Sequence, residues 1–241
     1  MIQPNGIKAI FFDFDGTLRH SVPSGGEVFT DYVMTLGLSV NNEARLRALR
    51  WEHLYWANSE DMRDDLLAHS GETEKFWIEY SRRRLIALGA SPQWAREYAV
   101  KASVHMGEFY RPESIVPDDV RRVLPQLKET GYILGIVSNR DKPYQDELRK
   151  HGIGEFFEFS FAAGELNVWK PDPGIFEHAL QRVNLSAKEV IYVGDNYYAD
   201  VVGARRAGLQ PILYDPIGIF PEPDCATIKS FDELNSILKV I

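Results

Sequence analysis

The chain has 241 residues, 44% of them hydrophobic and 26% charged, with a net charge of −8. That composition fits a soluble globular protein long enough to bury a core without staples, and its acidic balance excludes a general nucleic-acid binder, which needs a basic face. The single cysteine, Cys225, excludes an intrachain disulfide.

No apolar run approaches the roughly 18 residues that span a bilayer. The opening Met-Ile-Gln-Pro-Asn-Gly has neither the charged nor the apolar region of a signal peptide. A cytoplasmic protein is expected, with no membrane and no nucleic-acid partner.

Residues 7–12 form a nearly continuous apolar run, the pattern of a strand buried on both faces. Asp13-Phe14-Asp15-Gly16-Thr17 ends it abruptly. From Glu27 to Tyr110 strand signals vanish, and apolar spacing predicts helices over 27–36, 42–57, 60–69, 73–88 and 92–109. Ser91-Pro92 supplies an N-cap and a first-turn proline for the last of these.

From about residue 113 strands and helices alternate. A helix over 118–130 is closed by Gly131. Then come a strand over 132–137, a helix over 142–151, a strand over 157–161 and a helix over 173–183. A strand over 190–193, a helix over 197–207 and a strand over 210–214 follow. Ser186 with Glu189, and Ser230 with Glu233, have the spacing of capping boxes.

Strands separated by helices imply a parallel sheet covered on both faces. The helical stretch after the first strand is too long for a crossover and too periodic for a loop. The expected fold is therefore α/β, a Rossmann-like parallel-sheet core of residues 1–20 and 112–241 with an inserted all-helical domain over 21–111. Residues 21–26 and 111–113 are its expected hinges.

In such sheets ligands bind at the carboxyl ends of the strands. Asp13 and Asp15 follow the first strand, Ser138 and Asn139 the strand over 132–137, and Asp195 and Asn196 the strand over 190–193, with Asp200 close behind. Lys170 precedes a helix in Lys170-Pro171-Asp172-Pro173. The topology brings all of them to one rim. Carboxylates crowded at the edge of an apolar sheet are costly without a cation, and oxygen ligands with no histidine or cysteine beside them suit Mg²⁺. An aspartate so placed can attack phosphorus, while a second carboxylate two residues on handles the proton.

These motifs resemble those of the haloacid dehalogenase superfamily, in order and over the whole chain. Asp13-Phe14-Asp15-Gly16-Thr17-Leu18 is similar to its first motif, Ser138 to the second, Lys170 to the third, and Gly194-Asp195 through Asp200 to the fourth. Lys170-Pro171-Asp172-Pro173-Gly174-Ile175-Phe176 and Gly203-Ala204-Arg205-Arg206-Ala207-Gly208 add to the likeness.

The resemblance implies Mg²⁺-dependent hydrolysis of a small phosphorylated metabolite through an aspartyl-phosphate. Asp13 would be nucleophile and metal ligand. Asp15 would be general acid and base, with its main-chain carbonyl on the metal. Ser138 and Lys170 would hold phosphate, a task the Asn139 amide also suits by its own chemistry, and Asp195 the metal. Asp200 would support Asp195 or Lys170. The inserted helices would be a cap of the family's first type.

Asp15 argues against carbon–halogen chemistry, because a departing halide needs no proton. A sugar-phosphate mutase on the same core competes with the hydrolytic reading, and so, more weakly, does a non-catalytic phosphate-binding protein. Arg19 and His20 are candidate substrate contacts, and Arg140 either reaches the site rim or starts a helix. Trp51, Trp56, Trp77 and Trp94 in the insertion are expected to pack rather than to stack a ligand, and Arg82-Arg83-Arg84 to form a solvated helix face.

Overall fold

The structure is a computed structural model that describes residues 6–238. The first five and last three positions of the expected core lie outside the described residues. In chain order the elements begin with β1 (Ala9–Phe12) and β2 (His20–Val22). Five helices follow: α1 (Gly25–Thr35), α2 (Asn42–Trp56), α3 (Glu60–Ala68), α4 (Thr73–Ala87) and α5 (Pro92–Phe109). Then come β3 (Glu113–Ile115), α6 (Asp118–Glu129), β4 (Ile133–Ser138), α7 (Gln145–Lys150), β5 (Phe159–Ala162), α8 (Ala163–Leu166) and α9 (Pro173–Val183). The chain closes with β6 (Val190–Gly194), a π-helical turn (Tyr197–Val201), α10 (Val202–Arg206), β7 (Gln210–Tyr214), β8 (Ala226–Ile228) and α11 (Asp232–Leu238).

Two compact units result, one reaching to His20 and resuming at Ile115, the other spanning Ser21–Ser114. The first is built on a six-stranded sheet in the order β5-β4-β1-β6-β7-β8, parallel throughout. Renumbered along the sheet, this is the doubly wound order 3-2-1-4-5-6.

β1 lies in the middle, and its four residues divide between the faces as strand geometry requires. Ile10 and Phe12 join Leu134, Ile136, Ile191 and Val193 on one side. Ala9 and Phe11 join Val137, Phe159 and Tyr192 on the other. Each face is covered by a helix with matching apolar spacing. Val120, Val123, Leu124 and Leu127 of α6 enter the first cluster, and Ile175, Phe176, Ala179 and Leu180 of α9 the second. Each large apolar side chain removed from water this way contributes roughly 2 kcal/mol.

The helical unit starts α1, α2, α3 and α5 with side-chain caps. Ser24, Asn41, Ser59 and Ser91 each accept a main-chain N–H in the first turn of the following helix. Its apolar side chains form two clusters. One holds Phe29, Val33, Leu85, Leu88 and the alanines of α5, and the other holds Tyr55, Phe76 and Tyr80 with Trp51 and Trp56. Trp94 stacks on Tyr98, with ring centroids 4.2 Å apart.

The structure corrects several expectations. Arg84 is not on a solvated face. It is buried, and it pairs with Glu52 and donates to the Tyr80 hydroxyl at 2.9 Å. Arg83 turns to Asp65 and Asp61. The helix expected over 197–207 is a π-helical turn followed by α10. α11 spans Asp232–Leu238, and the Phe231 N–H just before it donates to Asp119 Oδ2 at 2.8 Å. The short strands β2, β3 and β8 carry no distinct sequence signal; β2 and β3 pair with each other.

Candidate active site

The parallel register sets the site. Phe12 is level with Ile136 of β4 and Val193 of β6, so the residues just beyond these three strands come out side by side. Asp13 leaves β1 with its N–H donated to Val193 O at 2.9 Å. Ser138 ends β4, buried. Asp195 follows β6.

Lys170 arrives from the loop before α9 and is 2% exposed. Its Nζ donates to Asp13 Oδ1 at 2.6 Å, Asp200 Oδ1 at 2.7 Å and the Tyr192 hydroxyl at 3.1 Å. Tyr192 donates in turn to Val137 O at 3.0 Å. Burial works against the Lys170 ammonium, but the charges of Asp13 and Asp200 outweigh it and raise its pKa. Lys170 is therefore a fixed positive charge.

The sequence points Asn139 at phosphate, but the structure gives its amide another task. Its Oδ1 accepts from Lys170 N at 2.7 Å and its Nδ2 donates to Lys170 O at 2.9 Å. Asn139 thus clamps the main chain that carries the lysine.

Asp13, Asp195 and Asp200 bring carboxylate oxygens within 4.8 Å of one another. Burial pushes the Asp13 carboxyl well above the usual carboxylate range; Lys170 opposes this, while Asp200 and Asp195 add to it. Asp195 is held by Thr17, whose Oγ1 donates to Asp195 Oδ1 and accepts from Asp195 N, both at 3.0 Å. Gly16 makes room for it. A Cβ there would lie 2.4 Å from Asp195 Oδ2, and its φ of +86° is one that glycine adopts freely. Gly194 does the same for Asp200, where a Cβ would stand 2.3 Å from Oδ2.

Lys170 is the buried cation in contact with two of these carboxylates, Asp13 and Asp200, and oxygen donors without nitrogen or sulfur suit a hard divalent ion. The donor set fits Mg²⁺. Asn196 Oδ1 caps the π-helical turn by accepting from Tyr198 N and Ala199 N, and its main-chain N–H donates to Asp200 Oδ2 at 2.9 Å.

The Asp15 side chain stands apart from the cluster. Arg140 grips it with two bonds, Nε to Oδ2 at 2.5 Å and Nη2 to Oδ1 at 2.7 Å, and Arg19 Nη1 adds a third at 3.2 Å. Both arginines also pair with Glu147, at 2.6 and 3.3 Å. The Arg140 guanidinium lies 4.8 Å over Phe14 and 5.2 Å over Tyr144. His20 Nε2 is 3.2 Å from Thr17 O.

Of the two readings open for Arg140, the structure realises the one at the site rim. Glu147, Thr17 and Tyr192 are built into the site although their side chains are assigned no role in it from the sequence. Tyr192 has a readable signal, a hydroxyl within the apolar run of β6, and Thr17 stands inside the first motif.

The family model for haloacid dehalogenase-like hydrolases matches residues 7–208. A glyceraldehyde 3-phosphate phosphatase of Pyrococcus abyssi is 31% identical over 213 residues, 86% of this chain and 81% of the relative. A phosphoglycolate phosphatase of Vibrio cholerae is 29% identical over 247 residues, 98% of this chain and 97% of the relative. Among solved structures, a 2-haloacid dehalogenase from Pseudomonas syringae superposes with a TM-score of 0.55 at 25% identity, covering 97% of this chain and 98% of that one. A HAD phosphatase from Thermococcus onnurineus gives 0.57 at 24%, covering 97% and 99%. The chain belongs to the haloacid dehalogenase-like hydrolases.

Proposed function

We propose that this chain is a phosphatase that hydrolyses a small phosphomonoester in two steps through Asp13. The observation that carries this reading is the buried Asp13 carboxylate, held by Lys170 at 2.6 Å beside Asp195 and Asp200, with a second aspartate two residues away. Relatives named for phosphoglycolate, glyceraldehyde 3-phosphate and phosphoserine support a substrate of that size.

An Asp13 oxygen attacks phosphorus as the ester P–O bond breaks, and Asp15 gives its proton to the departing alkoxide. Water then attacks the aspartyl-phosphate, Asp15 takes its proton, and phosphate leaves with Asp13 restored. Lys170 stabilises charge on the transferring phosphoryl group, and the Ser138 hydroxyl binds one of its oxygens. Mg²⁺ would be held by the Asp13 and Asp195 side chains and the Asp15 carbonyl, and would neutralise phosphate charge. Asp200 and Asn139 fix Lys170. We assign the helical unit the role of cap, admitting substrate and excluding water during the reaction.

The test is phosphate release from a panel of phosphomonoesters, with Mg²⁺ and with EDTA, for the wild-type chain and Asp13→Asn. Metal-dependent release that disappears in the variant is expected. Release that survives Asp13→Asn, or halide release from 2-haloacids in its place, would overturn the reading.

A further inference from the structure

Tyr192 stands at the middle of β6, level with Phe11 of the central strand, which is in turn level with Gly135 of β4. It is buried, on the face of the sheet that α9 covers. Its neighbours in the strand, Ile191 and Val193, are apolar. Phenylalanine would fill such a place without burying a polar group, and a buried hydroxyl has to find partners.

The partners belong to the site. An ammonium only donates and a main-chain carbonyl only accepts, so the direction of both bonds is fixed. Tyr192 Oη accepts from Lys170 Nζ at 3.1 Å and donates to Val137 O at 3.0 Å. The side chain reaches from β6 across β1 to β4 to do so. Phe176 of α9 holds the ring, with centroids 4.9 Å apart and planes at 77°. The oxygen is thus fixed from three directions.

The first bond completes the lysine. An ammonium has three N–H groups, and Asp13 and Asp200 accept from Nζ at 2.6 and 2.7 Å. Two anchors leave Nζ free to swing about the line between them; Tyr192 is the third and stops that motion. The second bond reaches the other side of the site. Val137 O belongs to the peptide unit whose N–H is that of Ser138, the buried residue that ends β4. One hydroxyl therefore links the two groups assigned to phosphate.

We propose that Tyr192 is a positioning residue: its hydroxyl joins the Lys170 ammonium to the Ser138 peptide and sets the spacing of the two groups that grip the phosphoryl oxygens. It acts through those two residues, and the inference rests on the hydrolytic reading for what they hold. Small displacements of such groups are costly to catalysis.

The test is Tyr192→Phe, which removes the hydroxyl and keeps the ring that packs on Phe176. Calorimetric titration with inorganic phosphate in the presence of Mg²⁺ reports the spacing directly. Steady-state hydrolysis of the preferred ester gives kcat/KM, and circular dichroism reports the fold. The variant is expected to bind phosphate about tenfold more weakly and to lose about tenfold or more in kcat/KM, with an unchanged dichroism spectrum. A hydroxyl that only served the packing of the sheet would lower Tm and leave phosphate affinity where it was.

Either quantity staying at its wild-type value, or a loss that accompanies an altered dichroism spectrum, would overturn the proposal. If the wild-type chain hydrolyses no ester, the phosphatase reading fails by itself, and the phosphate titration alone decides the role of Tyr192. The two failures are therefore distinguishable.

Discussion

Lys170 is the residue on which the most depends. It is the hydrogen-bonded cation for two buried carboxylates, Asp13 and Asp200, so Lys170→Met leaves both uncompensated. Removing one partner of a buried pair costs about 3–5 kcal/mol. Urea unfolding in EDTA is expected to show a loss of that size, whatever happens to activity.

Asp13 gives a pH prediction. Its carboxyl is raised by burial first and by Asp200 and Asp195 after that, so the folded state holds this proton more tightly than the unfolded one. Without metal, stability falls as pH climbs from the ordinary value of 3.8 through the raised folded value. A divalent cation competes with that proton. The rise in Tm on adding Mg²⁺ is therefore expected to be larger at pH 8 than at pH 5 by scanning calorimetry; an equal or smaller rise at pH 8 would contradict it.

Arg140 illustrates how far single residues can be read in the chain. Its place directly after Asn139 is plain, but nothing in the spacing says that its guanidinium stacks on Phe14 and Tyr144 and turns back to Asp15. Arg140→Ala is expected to lower turnover by about 10- to 100-fold through lost orientation of Asp15, with Mg²⁺ affinity, measured by titration, unchanged.

At the scale of elements, strongly periodic segments are legible. The helices over 42–56, 92–109 and 173–183 and the strand over 210–214 lie within a residue of where spacing and caps put them. Elements set by long-range packing are not. Arg82-Arg83-Arg84 reads as a charged helix face until α2 brings Glu52 to Arg84 and α3 brings Asp65 to Arg83. A helical wheel cannot supply a partner that lies 32 residues away.

That pairing has a consequence for the helical unit. Burial opposes ionisation of Glu52, but the Arg84 charge and the hydrogen bonds from Arg84 and Tyr80 outweigh it and hold its pKa below 4.5. Its contribution is present above that value and is lost as pH falls through the lowered folded pKa. Glu52→Gln is expected to destabilise at neutral pH by about 3 kcal/mol and to be less sensitive to acid than the wild type, read by denaturant unfolding at pH 7 and pH 4.

For the whole molecule, the division into two units has a thermodynamic signature. The four apolar clusters each draw their residues from one unit only. Two cores that share no buried apolar residues need not melt together, and a single two-state transition is not required. Mg²⁺ is expected to raise the transition of the sheet unit, and Glu52→Gln to lower that of the helical unit. Differential scanning calorimetry resolves the two; a single transition that moves as one under both perturbations would show that the units are coupled.

The central position of β1 also bears on how the protein is made. The strand at the middle of the sheet leaves the ribosome first, and its neighbours β4 and β6 follow only after more than a hundred further residues. At roughly 5–20 residues per second, Ala9–Phe12 waits on the order of ten seconds for the first of them. During that interval the nascent chain exposes Ile10, Phe11 and Phe12, while the helical insertion, with its own caps and cores, is already complete. The strand that both β4 and β6 pair with is thus the one that waits longest for its partners.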